Sequence, residues 1–160
     1  MNIICLDIDD CIFINDSTYA GEAEDALDLL EINLKRLLLI INKWDFKVFI
    51  TSSWFSILIL EENNILYNNP SYGLPNKSYY DLEFKAFNIL SKYLNGYVIG
   101  LSCGDRFRDI ENLLKEGHNI VAIDDMDLSE IKDDNYIFLK TNGLIDNPSI
   151  YKIKQFIEKK

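Results

Sequence analysis

The sequence predicts a three-layer α/β sandwich, with a parallel sheet between two layers of helices. Short apolar runs rich in β-branched residues, such as residues 3–6 and 119–123, alternate with longer segments whose apolar residues recur at helical spacing. Strands that alternate with helices form parallel sheets, and the crossovers between them are right-handed. No linker divides the 160 residues, so the whole chain, residues 1–160, is predicted to be a single domain.

The first half of the chain is predicted to contain two strands and two helices. Residues 3–6 are apolar throughout, which is typical of a strand buried on both faces, and the turn-prone residues 13–21 predict a small flap after it. A helix follows at residues 22–42, where acidic residues near the start and basic residues near the end suit the helix dipole. The next predicted elements are a strand at 46–50, a helix at 54–62 and an Asn-rich loop at 63–78.

The second half continues the alternation. Residues 81–94 return to helical spacing and end at Asn95-Gly96, which is a usual helix stop. Residues 119–123 form the clearest later strand, and Pro148 suits the first turn of a closing helix that ends at about residue 158. The other predicted elements are a strand at 97–101, a helix at 105–116 and a strand at 136–139.

Composition and charge exclude several classes of function. No apolar run is long enough for a membrane span, so no membrane contact is predicted. The net charge of −10 argues against a broad, sequence-independent grip on nucleic acid, which needs a basic surface, although it permits binding of one phosphate group. The chain enters a strand directly, and its three cysteines cannot all pair. Both features favour a cytoplasmic protein.

Two acidic pairs follow two of the predicted strands. Asp7 and Asp9 come after the first strand, two residues apart and pointing the same way, and Asp124-Asp125 follows residues 119–123. In a parallel sheet, ligands bind beyond the carboxyl ends of the strands. An acidic segment there is often only a solvated turn or a helix cap. Two such pairs at one edge instead favour a site for Mg²⁺, because close carboxylates repel each other unless a cation lies between them.

Hydroxyl and basic side chains are predicted at the same edge. Thr51 and Ser52 follow the strand at 46–50, and Arg106 or Arg108 lies near the start of the helix that precedes the second acidic pair. Phosphoryl transfer through an aspartate needs a carboxylate to attack phosphorus, other acids to hold Mg²⁺, and hydroxyl and basic groups to hold the phosphoryl oxygens. Thr51 and Ser52, together with Arg106 or Arg108, are therefore candidate phosphate-binding residues.

The ordered set resembles the haloacid dehalogenase (HAD) superfamily of phosphohydrolases, over nearly the whole chain. The first motif is Asp7-x-Asp9, the second is Thr51, and the fourth is Asp124-Asp125. The resemblance implies a HAD-like, Rossmann-like sheet and a Mg²⁺-dependent phosphatase. By that resemblance Asp7 is the nucleophile and Asp9 the general acid/base. Asp124, with Asp125 behind it, would ligate Mg²⁺ together with Asp7 and the backbone carbonyl of Asp9.

The third motif is a basic residue, and three candidates stay open. Arg106 is favoured because it opens the helix before the acidic strand, where the superfamily's basic residue usually lies. Arg108 and Lys85 are the alternatives. The chain also departs from many members after the second aspartate, because Asp10-Cys11 stands where they have Gly or Thr.

A narrower resemblance concerns the substrate. Residues 104–110, residues 121–125 and Asn142-Gly143-Leu144 are similar to small HAD domains associated with RNA repair, and more distantly to the phosphatase half of polynucleotide kinase–phosphatases. This implies a nucleotide or polynucleotide end phosphate as substrate. The intervals where members insert cap domains are short here, so a minimal cap or none, and an open site, are predicted.

Alternative interpretations concern the fold class, the function and single residues. A response-regulator receiver domain needs its aspartate after the third strand, yet residues 97–101 lead into Ser102. A non-catalytic HAD-like scaffold or interaction protein is the main alternative function. Trp54 and Phe55 would either stack on a substrate base or, more often, pack a helix onto the sheet. Three further residues are weaker candidates for a role at the site: His118 in catalysis, and Asp127 and Ser129 in the metal shell.

Overall fold

Five parallel strands form the sheet at the centre of the computed structural model, which describes residues 1–14, 23–69, 77–141 and 143–160. The strands of this sheet are β1 (Asn2–Leu6), β2 (Phe46–Ile50), β5 (Val98–Leu101), β6 (Asn119–Asp124) and β7 (Tyr136–Lys140). Two further strands, β3 (Leu58–Glu61) and β4 (Asn64–Tyr67), form a separate antiparallel pair. The helices are α1 (Ala23–Trp44), α2 (Lys77–Leu94), α3 (Arg106–Lys115) and α4 (Asn147–Glu158). The sheet order is β5-β2-β1-β6-β7, and every neighbouring pair is parallel. The predicted α/β class with a parallel sheet is confirmed.

The side chains of the central strands alternate between two apolar cores, one on each face of the sheet. Ile4 and Leu6 of β1 belong to the larger core, which α1, α2 and α4 cover, whereas Ile3 and Cys5 face the smaller core beneath α3. Burying one such side chain stabilises the fold by about 1.5–3 kcal/mol. Because both faces of β1 are buried, its sequence shows a continuous apolar run instead of an alternating pattern.

The order of the strands places a crevice at the carboxyl end of β1. The chain runs outward from β1 to β2 and β5 on one side, and then returns to add β6 and β7 on the other. Strand order therefore reverses between β1 and β6. Ligands of open α/β sheets bind at such a reversal, beyond the carboxyl ends of the strands.

The predicted helix at residues 54–62 is wrong, and so is the start of the predicted loop. The chain instead makes one 3-10 turn over Ser53–Ser56 and then the antiparallel hairpin β3–β4. Glu62 and Asn63 reverse the chain with φ of 50° and 70°, as a two-residue hairpin turn requires. Periodicity could not reveal this, because a short run that is almost wholly apolar fits a helix or a strand equally well. Residues 70–76 of the predicted loop lie outside the described residues.

The other predicted elements are confirmed, with ends that differ by at most four residues. The largest difference is at α2, which begins at Lys77 instead of residue 81. Asp105 precedes α3 as its N-cap and accepts a hydrogen bond from the Arg108 backbone N–H. Of the predicted flap, Phe13 is buried, and residues 15–21 lie outside the described part of the chain. None of the described helices combines the length and apolar character needed to cross a membrane.

A buried asparagine joins the segments that surround the crevice. The Asn33 Nδ2 group of α1 donates hydrogen bonds to the carbonyls of Ile12 (3.1 Å) and Gly143 (2.7 Å). Its Oδ1 accepts one from the Ile145 backbone N–H at 2.8 Å. The Gly143 N–H in turn donates to the Cys11 carbonyl at 2.7 Å. The turn after β1 and the segment after β7 are thereby held against one helix.

Candidate metal and phosphate site

Three carboxylates meet where β1 and β6 end. The Asp7 backbone N–H donates to the Ile123 carbonyl at 3.0 Å, so the residue after β1 lies beside the last residues of β6. One carboxylate oxygen from each of Asp7, Asp124 and Asp125 lies within 4.8 Å of the other two. Asp7 and Asp124 are buried and Asp125 is half-buried. The predicted meeting of the two acidic pairs thus occurs for these three side chains.

The electrostatics of this cluster are those of carboxylates short of positive charge. Burial, the hydrogen bond with the Asp125 carboxyl and the Asp124 charge together raise the pKa of Asp7 to about 8, although the Arg106 charge lowers it. Burial likewise raises the pKa of Asp124, although the Met126 N–H and Arg106 favour its charged form. Without a cation, the protein therefore favours a protonated Asp7 at neutral pH, because the Arg106 charge does not offset the three carboxylates.

Arg106, the first residue of α3, is the basic side chain that contacts the cluster. Its Nη1 lies 2.7 Å and 2.6 Å from the two carboxylate oxygens of Asp124 and 3.6 Å from Asp7 Oδ2. Burial lowers the pKa of Arg106, but the carboxylates of Asp7, Asp124 and Asp125 outweigh it and raise the pKa overall. Arg106 therefore stays charged.

The two alternative basic residues are placed differently from Arg106. Arg108 is exposed on α3, and Lys85 is exposed on α2. Of the three candidates, the ion pairs with Asp7 and Asp124 are formed by Arg106. The preference for Arg106 at this edge of the sheet therefore has a geometric basis.

Asp9 lies beside this cluster, and its carboxylate is not one of the three grouped oxygens. Its Oδ2 accepts a hydrogen bond from the indole Nε1–H of Trp54 at 2.8 Å. The pKa of Asp9 is raised to about 6, mainly by burial and in smaller part by the charges of Asp10, Glu83 and Asp125, while the Trp54 hydrogen bond lowers it. A carboxyl whose pKa lies near 6 is suited to both giving and taking a proton.

The unusual turn after β1 has a simple structural basis. Asp10 takes a left-handed conformation with φ of 58°, which Asp adopts more readily than most residues other than Gly. The N–H groups of Cys11, Ile12 and Phe13 all point to the Ile8 carbonyl, at 3.3, 3.1 and 3.0 Å. Cys11 is fully buried, so this position of the turn is an apolar contact of the core.

Thr51 brings a buried hydroxyl to the edge of the site. Its backbone N–H donates to the Leu6 carbonyl at 2.9 Å, which places Thr51 next to Asp7 across the β1–β2 pair. Among the side chains that the structure describes, Thr51 Oγ1 is the buried polar atom without a hydrogen-bond partner. An unsatisfied buried hydroxyl costs about 1–3 kcal/mol. Such a group is suited to a ligand that supplies the missing partner.

Ser52 has a different local role. Its Oγ accepts a hydrogen bond from the Trp54 backbone N–H at 3.3 Å and caps the 3-10 turn. The side chain is fully buried. Its predicted contact with phosphate stays a prediction, and the capping bond is what the structure assigns to it.

The donor set fits a hard divalent cation. Asp7, Asp124 and Asp125 offer only carboxylate oxygens, the ligands that Mg²⁺ and Ca²⁺ prefer. Two oxygens on opposite sides of a Mg²⁺ ion lie about 4.2 Å apart, close to the 4.8 Å limit of this group. Small side-chain rotations would therefore close the site around a cation.

The remaining sequence candidates lie elsewhere or serve local structure. His118 contacts Glu116 at 3.2 Å in the turn after α3, and Asp127 Oδ1 accepts the Ser129 N–H in a turn after β6. Trp54 is buried against the sheet edge instead of presenting a face for stacking, whereas the Phe55 ring is 39% exposed.

Sequence reasoning missed three polar groups close to the site. Glu83 of α2 is buried and accepts hydrogen bonds from Tyr67 Oη (2.7 Å) and Asn69 Nδ2 (2.8 Å). The buried Asp109 accepts one from Ser102 Oγ at 2.5 Å, just after β5. The third is the indole N–H of Trp54. A carboxylate within the apolar stripe of a helix was the available signal for Glu83 and Asp109; nothing in the sequence indicated the indole contact.

A cavity of about 840 Å³ lies away from the cluster of Asp7, Asp124 and Asp125, none of which lines it. It is lined by residues 129–138, before and along β7, and therefore lies toward the amino end of that strand.

No protein-family model, curated protein or solved structure matches the chain.

Proposed function

We propose that this chain is a Mg²⁺-dependent phosphomonoester hydrolase of HAD-like type, acting through a phosphorylated aspartate at Asp7. The observation that carries the proposal is the grouping of three carboxylates, from Asp7, Asp124 and Asp125, beside the unpartnered hydroxyl of Thr51. An excess of buried acid suits a cation, and a buried donor without an acceptor suits an anion. A phosphate ester bound through a divalent cation satisfies both.

Each side chain then has a role that follows from its position. Thr51 and Arg106 bind the phosphoryl oxygens and hold phosphorus in line with Asp7. An Asp7 carboxylate oxygen attacks phosphorus, and the bond to the leaving oxygen breaks with its electron pair on that oxygen. A Mg²⁺ ion held by Asp7, Asp124 and Asp125 would keep Asp7 ionised and offset charge on the phosphoryl group. Asp9 gives its proton to the leaving oxygen.

The second half of the reaction restores the enzyme. Asp9, now ionised, takes a proton from a water molecule, and the water oxygen attacks phosphorus. The bond between phosphorus and the Asp7 oxygen breaks, and inorganic phosphate leaves. The Asp9 carboxyl, with its pKa raised to about 6, suits both proton transfers.

The substrate is proposed to be a phosphate at the end of a nucleotide or polynucleotide, in the cytoplasm. The support is the resemblance to nucleic-acid-repair phosphatases and the small size of the segment between β2 and α2. Its described residues form the 3-10 turn and the β3–β4 hairpin, which would act as a minimal cap. An open site of this kind accepts a phosphate carried on a large molecule.

The test is hydrolysis of 4-nitrophenyl phosphate with Mg²⁺, with EDTA, and with two matched variants. Asp7→Asn keeps the shape of the side chain but removes the nucleophile, so turnover should fall by about 10³-fold or more. Asp28→Asn makes the same change at an exposed position of α1 and should leave turnover unchanged. Activity that survives in Asp7→Asn would exclude the phosphorylated aspartate. A wild-type protein that binds Mg²⁺ without turning over any phosphate ester would favour the non-catalytic scaffold.

A further inference from the structure

We infer that Trp54 is a positioning residue for Asp9: its indole N–H orients the carboxyl so that the proton lies on Oδ1, and thereby sets how well the enzyme releases poorly acidic alcohols. This inference rests on the proposed function. The observation behind it is the hydrogen bond of 2.8 Å between Trp54 Nε1 and Asp9 Oδ2.

The chemistry of the indole determines which oxygen holds the proton. An indole N–H is only a donor and has no lone pair to accept a hydrogen bond. The oxygen that it contacts, Asp9 Oδ2, must therefore be an acceptor. When Asp9 is protonated, the proton is therefore favoured on Oδ1, because the unprotonated oxygen of a carboxyl group is the stronger acceptor. A serine or a water molecule in the place of Trp54 could accept as well as donate, and would not impose this choice.

Trp54 is itself held firmly enough to act as a reference point. Its side chain is 4% exposed, and its ring meets the Phe13 ring edge-on, with centroids 6.2 Å apart. Its backbone N–H donates to Ser52 Oγ, and its carbonyl accepts from the Ile57 N–H at 2.9 Å. Because both its backbone and its ring are held by these contacts, the Trp54 side chain presents its N–H in one direction. Loss of that direction would free the Asp9 carboxyl to rotate.

The position of Trp54 in the chain links the two halves of the site. Trp54 follows Thr51 by three residues, and the 3-10 turn that places the indole begins at Ser53, two residues after the proposed phosphate-binding hydroxyl. Phe13 belongs to the turn that carries Asp9, where Asp9 and Phe13 form a β-bridge. Asp9 and the proposed phosphate-binding residue Thr51 therefore lie on two loops that pack against each other through the Phe13–Trp54 pair.

The consequence concerns the leaving group. An alkoxide is a poor leaving group, so breaking its bond to phosphorus depends on the proton that passes from Asp9 Oδ1 to the departing oxygen. Positioned general acids contribute about 10²–10⁴-fold to such steps. The 4-nitrophenolate anion leaves without protonation. Misplacing the proton should therefore slow alkyl phosphates far more than 4-nitrophenyl phosphate.

The experiment compares Trp54→Phe with Trp44→Phe, the same substitution at the other tryptophan of the chain. For each protein, kcat/KM is measured for glycerol phosphate and for 4-nitrophenyl phosphate in a single preparation. The ratio of the two values does not depend on the fraction of folded enzyme. We expect the alkyl-to-aryl ratio to fall about 10-fold or more in Trp54→Phe and to stay at the wild-type value in Trp44→Phe. In an Asp9→Asn background, Trp54→Phe should no longer change the ratio.

An equal loss on both substrates would mean that Trp54 serves only packing, and would overturn the inference while the proposed function stands. A wild-type enzyme inactive on both esters, or an Asp7→Asn variant with full activity, would instead remove the proposed function. A second measurement covers the case in which Trp54→Phe does not fold. In Trp44→Phe, Trp54 is the remaining tryptophan, and Asp9→Ala should shift its fluorescence emission maximum. An unchanged maximum would show that the hydrogen bond does not form.

Discussion

Arg106 Nη1 lies 2.7 Å and 2.6 Å from the two carboxylate oxygens of Asp124, which ties the first turn of α3 to the end of β6. The pair is largely buried, with 19% of the Arg106 side chain and 1% of the Asp124 side chain exposed. Removing one partner of a buried ion pair leaves an uncompensated charge, which usually costs about 3–5 kcal/mol. Here Asp7 and Asp125 add to the negative charge that Arg106 offsets.

Arg106→Gln should therefore destabilise the metal-free protein by about 3 kcal/mol at pH 8. Arg108→Gln, which removes the same group from an exposed position on the same helix, should change the free energy of unfolding by less than about 0.5 kcal/mol. Urea unfolding in EDTA measures both. Equal stabilities of the two variants would mean that the Arg106–Asp124 contact contributes nothing.

The metal-free protein should lose stability as the pH rises. The folded state holds the Asp7 proton with a pKa of about 8, against an ordinary value of 3.8, so the stabilisation from this group is fully present below about pH 4 and is lost as the pH rises through 8. The expected fall approaches about 1.4 kcal/mol per pH unit for one proton. Urea titrations in EDTA from pH 5 to pH 9 measure it.

Two controls belong to this pH series. Asp7→Asn should flatten the pH dependence, whereas Asp28→Asn at an exposed site should keep it. Saturating Mg²⁺ should remove most of the fall, because the cation favours the ionised form of Asp7. Stability that instead increased over this range would contradict the placement of Asp7 in a crowded acidic cluster.

Asp124→Ala should weaken Mg²⁺ binding by at least about 10-fold, since one of three carboxylates is removed from the candidate site. Asp127→Ala is the matched control, because Asp127 lies three residues further on and makes its hydrogen bond to the Ser129 N–H. Isothermal titration calorimetry with MgCl₂ compares them. An unchanged affinity in Asp124→Ala would exclude this residue from the metal site.

An open site should favour a phosphate at the end of an oligonucleotide over the same phosphate on a mononucleotide. The gain in kcat/KM should be modest and only weakly salt-dependent, because a chain with a net charge of −10 makes few phosphate contacts. The half-exposed Phe55 ring offers a surface for a base, and Phe55→Ala should remove part of the gain. A mononucleotide that reacts equally well would point to a small-metabolite phosphatase.

Much of the fold was evident from local patterns. The five sheet strands and the four helices could be predicted because each is a run of suitable length with a clear period and a recognisable end, such as Gly117 after α3 or Pro148 in α4. The hairpin β3–β4 could not. Its first strand lies within an apolar run that has no clear period, and its turn uses Glu62 and Asn63 in place of the usual Asn-Gly.

The candidate site, like the fold, could be predicted from the sequence only in part. The sequence by itself determined that Asp7, Thr51 and Asp124 stand at the carboxyl ends of strands, and parallel strands bring such residues to one edge of the sheet. Only the tertiary structure decided which of them touch: Asp125 joins the carboxylate group, Arg106 is the cation against it, and Asp9 turns to Trp54. Position along a strand is a local property, because backbone geometry sets it. Contacts between side chains from different loops depend on strand order and packing, which no local pattern encodes.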